Sequence, residues 1–215
     1  MKWNKLRKNR EQIAPKKVHS QGIRWIAAAL SGAVLLSLGL TGCGDKKAAN
    51  PQTDTPQKVK VTMEDNQTFV IETLPQYAPE TVANFLSLVD EGFYNGLTFH
   101  RIIDGFMAQG GDPKGNGTGG SDKTIKGEFD ANGFEQNTLS HTRGVVSMAR
   151  SQNMDSASSQ FFICYDDATY LDGQYAAFGK VIEGMETVDS FLKTPRDNSD
   201  KPVTPIVMKT VERVE

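Results

Sequence analysis

Apolar and polar residues alternate in several short segments of the chain. In Lys58–Met63 the residues Val59, Val61 and Met63 share one face, and this period of two predicts a β-strand. Thr68–Thr73 is rich in β-branched and aromatic residues and predicts the returning strand of a hairpin. The same reasoning predicts further strands at residues 98–103, 106–109, 144–149, 160–165, 177–182 and 203–214.

Two segments have helical periodicity instead. Pro79 is suited to the first position of a helix, and Gly92 ends the apolar pattern that follows it. A second, shorter helix is predicted at residues 185–192. Two helices are too few for a parallel sheet with helical crossovers, so the pattern favours an antiparallel sandwich or a closed barrel.

One strand contains a cation among large apolar residues. Simple alternation places Phe99, Arg101 and Ile103 on the same face of the predicted strand 98–103. Because arginine keeps its charge, a half-buried Arg101 must either be paired with an acid or serve a ligand. The strand pattern alone leaves both interpretations open.

The two ends of the chain differ in charge. Residues 1–24 contain eight Lys and Arg residues and one acid, and residues 25–42 contain no charge. From Cys43 onward there are 16 basic and 25 acidic residues, a balance that argues against nucleic acid as a partner. With 38% hydrophobic and 23% charged residues overall, the composition excludes a polytopic membrane protein.

Residues 40–43, with the sequence LTGC, resemble the lipobox of bacterial lipoproteins. That resemblance implies a signal peptide at 1–42 and a lipid on Cys43, with 44–57 as a flexible tether and a folded domain at 58–215. We therefore expect a cell-membrane protein, lipid-anchored on the extracytoplasmic face. The alternative is an uncleaved anchor helix in which Cys43 is incidental.

Other candidate chemistries receive little support from the sequence. Cys164 lies in an apolar run and is expected to be a buried core residue. His100 and His141 lack metal-ligand spacing, so no metal site is expected. Adjacent strand residues point to opposite faces, which argues against a joint role for Ser140 and His141. The G-x-G-x-x-G pattern at 115–120 is not followed by a helix and does not predict a dinucleotide site.

Six colinear segments together resemble the cyclophilin family of peptidyl-prolyl isomerases. The segment at 148–150, together with 155–160, is similar to the bacterial branch. The resemblance implies a mostly β fold, a closed eight-stranded antiparallel barrel capped by two α-helices. The segments are 99–103 (FHRII), 105–112 (GFMAQGGD), 116–120 (NGTGG), 147–149 (SMA), 159–163 (SQFFI) and 171–173 (LDG).

The resemblance also implies roles for individual residues, with Arg101 as the catalytic residue. Tyr170 and Tyr175 stand where the best-known eukaryotic members have a pocket Trp and His, so we expect weakened cyclosporin binding. The implied proline pocket is formed by Phe106, Met107, Phe162 and Leu171. The implied peptide contacts are Gln109 and the backbone of Ala149 and Arg150, with Gly117 and Gln160 lining the neighbouring groove.

Two hypotheses for the function follow from this resemblance. The first is an isomerase that acts on X-Pro segments of unfolded or exported proteins, without a cofactor or a covalent intermediate. The second is a non-catalytic module at the cell surface that binds proline-containing peptides. The chain is expected to be a monomer in either case.

Overall fold

The computed structural model describes residues 55–215, so the predictions for the signal peptide, for Cys43 and for most of the tether lie outside the described residues. Eight antiparallel strands form a closed barrel in the order β1-β2-β7-β5-β6-β4-β3-β8. This confirms the fold class expected from the sequence. The strands are β1 Lys58–Met63, β2 Thr68–Thr73, β3 Thr98–Ile103, β4 Met107–Asp112, β5 Val145–Met148, β6 Phe161–Cys164, β7 Ala177–Glu183 and β8 Ile206–Val214.

The two predicted helices are confirmed as α1 Pro79–Asp90 and α2 Met185–Ser190. A 3-10 turn, Phe191–Lys193, continues α2, and two more 3-10 turns occupy Asp130–Asn132 and Thr169–Leu171. Across residues 55–215 no helix has the length and apolar character needed to cross a membrane.

Phe85 on α1 anchors the interior of the barrel. Its ring centroid lies 5.4 Å from that of Tyr94, 5.8 Å from Phe161 and 5.0 Å from Phe178. Tilted and edge-to-face contacts of this kind add to the free energy gained by burying the rings. The alternating apolar residues of the strands point into the same core, including Val59 and Val61 of β1.

A distant carboxylate caps the N-terminus of α1. Ala78 at the cap position has no side-chain acceptor, and Pro79 has no N–H to satisfy. The backbone N–H groups of Glu80 and Thr81 donate to the buried carboxylate of Glu128 at 2.9 and 2.7 Å. The first N–H groups of a helix have no partner within the helix and otherwise need water or a local cap. The contact with Glu128 supplies acceptors for two of them and ties α1 to the segment before β5.

A β-bulge in β3 changes which of its residues lie on the same face of the strand. Phe99 pairs with Gly110, and Arg101 pairs with Gln109, the neighbour of Gly110 in β4. His100 is therefore an extra residue in β3 that has no partner in β4. A bulge reverses the alternation beyond it. Phe99 and Ile102 therefore lie in the interior core, whereas Arg101 lies outside it. The prediction that Phe99, Arg101 and Ile103 share one face is wrong.

Strand β4 is longer than the predicted strand 106–109 because two glycines continue it. Gly111 has φ +83°, and a Cβ atom at this position would lie 2.5 Å from the carbonyl oxygen of Ser159. Only glycine satisfies both the positive φ and the close approach of the two backbones. The Ser159 hydroxyl in turn donates to the Gly111 carbonyl at 2.8 Å.

Candidate functional site

A second apolar cluster lies on the outer face of the barrel, on β4 and β6. Ala108 and Ile163 of these strands point into the interior core, so the alternating residues Met107 and Phe162 point outward. Met107 and Phe162 are buried, together with Cys164 and Ala168. Five partly buried residues pack against this cluster: Ile103, Phe106, Ala149, Leu171 and Tyr175.

A pocket of about 180 Å³ opens on this outer cluster. The four residues predicted to form a proline pocket all line it, and Arg101 is at the same pocket. The complete lining is Arg101, Phe106, Met107, Gln109, Ala149, Arg150, Phe162, Leu171 and Tyr175.

The two tyrosines that replace residues of the eukaryotic pattern occupy different places. Tyr175 lines the pocket, with its ring edge-to-face to Phe162 at 6.0 Å between centroids. Tyr170 does not line the pocket and is 63% exposed. Its ring lies 6.0 Å from Phe106, so Tyr170 is a rim residue.

Arg101 has no ion pair and no side-chain hydrogen bond among the contacts of residues 55–215. The ion pairs in this part of the chain join Lys60 to Glu212, His141 to Asp172, Arg143 to Asp189 and Arg213 to Asp90. The described residues therefore offer no support for a structural ion pair at Arg101. Its guanidinium donors remain available beside an apolar pocket.

A larger and more polar pocket, of about 380 Å³, adjoins the first one. Gln109, Ala149 and Arg150 line both pockets, so the two form one continuous groove. The amide of Gln109 donates to the Gln160 side-chain oxygen at 2.8 Å, and the Gln160 amide donates to the Gly119 carbonyl at 2.7 Å. The other residues lining this pocket are Gly117, Thr118, Ser151, Ser156 and Ser158.

Asp112 holds the glycine-rich loop that borders the larger pocket. Its buried carboxylate accepts the backbone N–H groups of Lys114 at 2.8 Å, Asn116 at 3.0 Å and Gly117 at 2.6 Å. Burial alone would raise the pKa of Asp112, but these backbone donors outweigh burial and lower it. Residues 117–119 of this loop thus form a wall of the groove.

Sequence reasoning missed a partly buried hydrogen-bond network behind the pocket. The Nδ1 atom of His141 lies 2.8 Å from Asp172 Oδ1, and its Nε2 atom lies 2.9 Å from Ser147 Oγ. The Ser140 hydroxyl also donates to Asp172, at 2.6 Å. The prediction that Ser140 and His141 point apart is wrong, because neither residue belongs to a strand.

This network has the residue types of a nucleophilic triad but not the accessibility. Ser147 is fully buried on β5 and His141 is 1% exposed, so no substrate carbonyl can reach the hydroxyl. Burial lowers the pKa of His141, while the nearby Asp172 carboxylate opposes that effect. The His141 imidazole, which bridges the Asp172 carboxylate and the Ser147 hydroxyl, therefore stabilises the fold and takes no part in catalysis. Ser147 and Asp172 gave a sequence signal, as parts of the SMA and LDG segments, whereas the contact of His141 with them gave none.

Two further predictions concern metals and thiols. Among residues 55–215 there is no group of three or more His, Cys, Asp or Glu side chains that could hold a metal ion. Cys164 is fully buried, as expected, and burial raises the pKa of its thiol to about 12. Such a thiol is inert under physiological conditions.

Comparisons with known proteins identify the family of the chain. The family described as cyclophilin type peptidyl-prolyl cis-trans isomerase/CLD matches residues 58–213. A probable peptidyl-prolyl cis-trans isomerase of Brucella abortus is 39% identical over 202 residues, covering 87% of this chain and 97% of the relative. Peptidyl-prolyl cis-trans isomerase B of Bacillus subtilis is 48% identical over 124 residues, covering 58% of this chain and 82% of the relative.

Solved structures give the same result. A cyclophilin type peptidyl-prolyl cis-trans isomerase of Cryptosporidium parvum superimposes with a TM-score of 0.67 at 32% identity, covering 75% of this chain and 99% of that one. A second structure of that protein, determined in the presence of the dipeptide Ala-Pro, gives a TM-score of 0.66 at 34% identity and covers 74% of this chain and 99% of that one. The chain therefore belongs to the cyclophilin family and is a peptidyl-prolyl cis-trans isomerase.

Proposed function

We propose that the groove formed by the two adjoining pockets is the active site. The proline ring of the substrate occupies the smaller pocket, between Phe106, Met107, Phe162 and Leu171. The observation that carries this assignment is the guanidinium of Arg101, which lies beside that apolar pocket and has no ion pair with any of residues 55–215. The relative whose structure was determined with Ala-Pro supports a proline-containing ligand for the family.

The role proposed for Arg101 follows from the physics of the reaction. Amide resonance creates a barrier of about 18–20 kcal/mol to rotation about the X-Pro bond. When the amide twists, its nitrogen loses conjugation and becomes a hydrogen-bond acceptor. Arg101 donates to that nitrogen only in the twisted state, which stabilises the transition state selectively. A single preorganised donor of this kind contributes about 10²–10³-fold to a rate.

The remaining residues hold the peptide while the bond rotates. Gln109, fixed by its hydrogen bond to Gln160, and the backbone of Ala149 and Arg150 lie between the two pockets. Gly117 and Gln160 border the neighbouring part of the groove. No covalent bond is made or broken, so the proposed reaction requires no cofactor, metal or nucleophile.

The cellular role proposed here rests on the N-terminal sequence. A lipid on Cys43 would keep the enzyme at the outer face of the cytoplasmic membrane, where two acyl chains are sufficient for stable anchoring. There it would accelerate the slow prolyl steps in the folding of exported proteins, which take tens to hundreds of seconds without catalysis.

The catalytic proposal is tested with the full chain in detergent, acting on a short X-Pro peptide. We expect Arg101→Ala to lower kcat/KM by about 10²–10³-fold while the circular dichroism spectrum is unchanged. Lys209→Ala, which removes an exposed cation of β8, is the control. Undiminished turnover by Arg101→Ala would contradict the assignment. Peptide binding by the wild type without turnover would support the alternative of a non-catalytic binding module.

The anchoring proposal is tested in cells. Radiolabelled palmitate should be incorporated by the wild type and not by Cys43→Ser. Protease added to cells whose outer wall has been removed should degrade the wild-type protein. Equal incorporation by both forms would contradict lipidation at Cys43, and protection from protease would contradict the extracytoplasmic location.

A further inference from the structure

Among residues 55–215, two arginines and no carboxylate line the groove. The nine residues lining the smaller pocket include Arg101 and Arg150, and the ten lining the larger pocket include Arg150 again. Neither set contains Asp or Glu. The chain from Cys43 onward has 25 acidic and 16 basic residues, so the groove is locally positive on an acidic body.

The Arg150 side chain is held in one place by neutral groups. Its Nε and Nη2 atoms donate to the carbonyl of Gln174 at 3.2 and 2.9 Å, and Nη1 donates to the carbonyl of Ser151 at 2.9 Å. The guanidinium also lies over the Tyr175 ring, 4.6 Å from its centroid, and over the Phe129 ring at 5.1 Å. These contacts fix the guanidinium at the boundary between the two pockets.

None of these partners cancels the charge of Arg150. Carbonyl groups and aromatic rings satisfy donors and stabilise a cation, but they carry no net charge. Two other arginines of the described part of the chain are neutralised by acids, since Arg143 pairs with Asp189 and Arg213 with Asp90. Asp155, the acid closest to Arg150 in sequence, binds the Gly127 N–H and the Asn132 amide instead.

We propose that Arg150 makes the enzyme selective for prolines that have an acidic side chain close by in the substrate. The substrate residues next to the proline occupy the larger pocket, and Arg150 lines both this pocket and the smaller proline pocket. A glutamate or aspartate there would meet a fixed, unpaired cation, whereas a lysine would meet a like charge. This inference rests on the proposed active-site groove and adds a substrate class to it.

Arg150 and Arg101 have separable effects. Arg101 acts on the reacting amide, so its removal slows the isomerisation of every peptide. Arg150 lies between the pockets, so its charge acts on the flanking side chain and changes the ratio between peptides. An exposed ion pair of this type is worth about a two- to fivefold difference in kcat/KM.

The experiment uses the full chain in detergent and unlabelled peptides that contain one Ala-Pro bond. Each of the two residues on either side of the proline is changed in turn to Glu, Gln or Lys. Catalysed exchange between the isomers is measured by NMR, which needs no charged reporter and no coupled protease. At peptide concentrations below KM, the exchange rates give relative values of kcat/KM.

For at least one position, the wild type should prefer Glu over Gln by about two- to fivefold and should disfavour Lys. The preference should vanish in Arg150→Gln, persist in Arg150→Lys and be unaffected in Lys209→Gln, which removes an exposed cation outside the groove. In the wild type it should also weaken at about 1 M salt, where the screening length falls to about 3 Å.

Two outcomes would overturn the inference: a wild type with no preference for Glu at any position, or a preference that survives in Arg150→Gln. If Arg150→Gln does not fold, the salt dependence and the Arg150→Lys variant still decide the question. Arg101→Ala in the same assay separates the two proposals. An inactive Arg101→Ala with no Glu preference in the wild type leaves the groove assignment standing, whereas an active Arg101→Ala removes it.

Discussion

The imidazole of His141 stacks against the ring of Phe162, with their centroids 6.1 Å apart and the ring planes inclined by 16°. Phe162 is the floor of the smaller pocket, and His141 is itself fixed by Asp172 and Ser147. Asp172 directly follows Leu171, another pocket residue. One polar network, with His141 and Ser147 buried at its centre, therefore supports two sides of an apolar pocket and keeps its shape preorganised.

The buried histidines predict a fall in stability at mildly acidic pH. Burial lowers the pKa of both His141 and His100 below the ordinary value of 6.5. Below pH 6.5 the unfolded chain binds protons that the folded protein excludes, so the free energy of unfolding decreases as the pH falls. Urea unfolding, followed by near-ultraviolet circular dichroism, should show lower midpoints at about pH 5.5 than at about pH 7.5.

The control for this prediction is His141→Asn, in which the same decrease should be smaller because one titrating group is lost. If that variant fails to fold, His100→Asn provides the same comparison. A midpoint that is constant or rises on acidification would contradict the prediction. Tryptophan fluorescence is unsuitable as the probe because Trp3 and Trp25, the two tryptophans, precede Cys43.

The carboxylate cap on α1 predicts a loss of stability in Glu128→Gln. The N–H groups of Glu80 and Thr81 donate to different oxygens of the Glu128 carboxylate. Glutamine replaces one of these oxygens with an NH₂ group, which leaves one N–H without an acceptor. We expect a cost of about 1–3 kcal/mol in unfolding free energy and faster hydrogen exchange at these two amides. Glu64→Gln, in the exposed turn after β1, should change neither quantity. Equal stability of the two variants would argue against the cap.

Two glycines with similar backbone angles predict different costs of substitution. Gly133 has φ +78° with open space around it, so Gly133→Ala should cost only the backbone strain of about 1–2 kcal/mol. Gly111 has φ +83°, and its substituent would meet the carbonyl of Ser159, so Gly111→Ala should cost more than about 3 kcal/mol. Urea unfolding measures both, and equal losses would contradict the close approach of β4 to residue 159.

The buried thiol predicts very slow alkylation of the native protein. With a pKa of about 12 and no exposure, Cys164 should react with iodoacetamide at least about 10³-fold more slowly than a free cysteine. In urea the same residue should react at the ordinary rate. Mass spectrometry of the peptide that contains residue 164 separates it from Cys43. Rapid labelling without denaturant would show that the outer cluster opens readily.

The barrel was predictable because buried and more exposed residues alternate strictly in strands such as β1 and β2. The alternation in β1 and β2, and the apolar face of α1 after Pro79, each report burial on one side of a single element. The pattern at Arg101 misled because a bulge is a relation between two strands, and the sequence of β3 contains no local sign of it.

Site residues were predictable to the extent that they lie in family segments. Arg101, Phe106, Met107 and Phe162 come together as the resemblance implied, and their assigned roles remain predictions. The pairing of His141 with Asp172 spans 31 positions and has no periodic signal. The two stacking partners of Arg150 likewise lie far from it in sequence, so its fixed charge could not be read from the chain.

The barrel closes where its first strand meets its last, with Val61 of β1 opposite Val211 of β8. Strand β8 also pairs with β3, the strand of Arg101, through Phe99 and Ile206. A chain that emerges with its N-terminus first therefore lacks one partner of β1 and one partner of β3 until β8 has been released. Such distant pairings form slowly. A protein proposed to accelerate the folding of other proteins must thus have β8 synthesised and paired before its own groove can form.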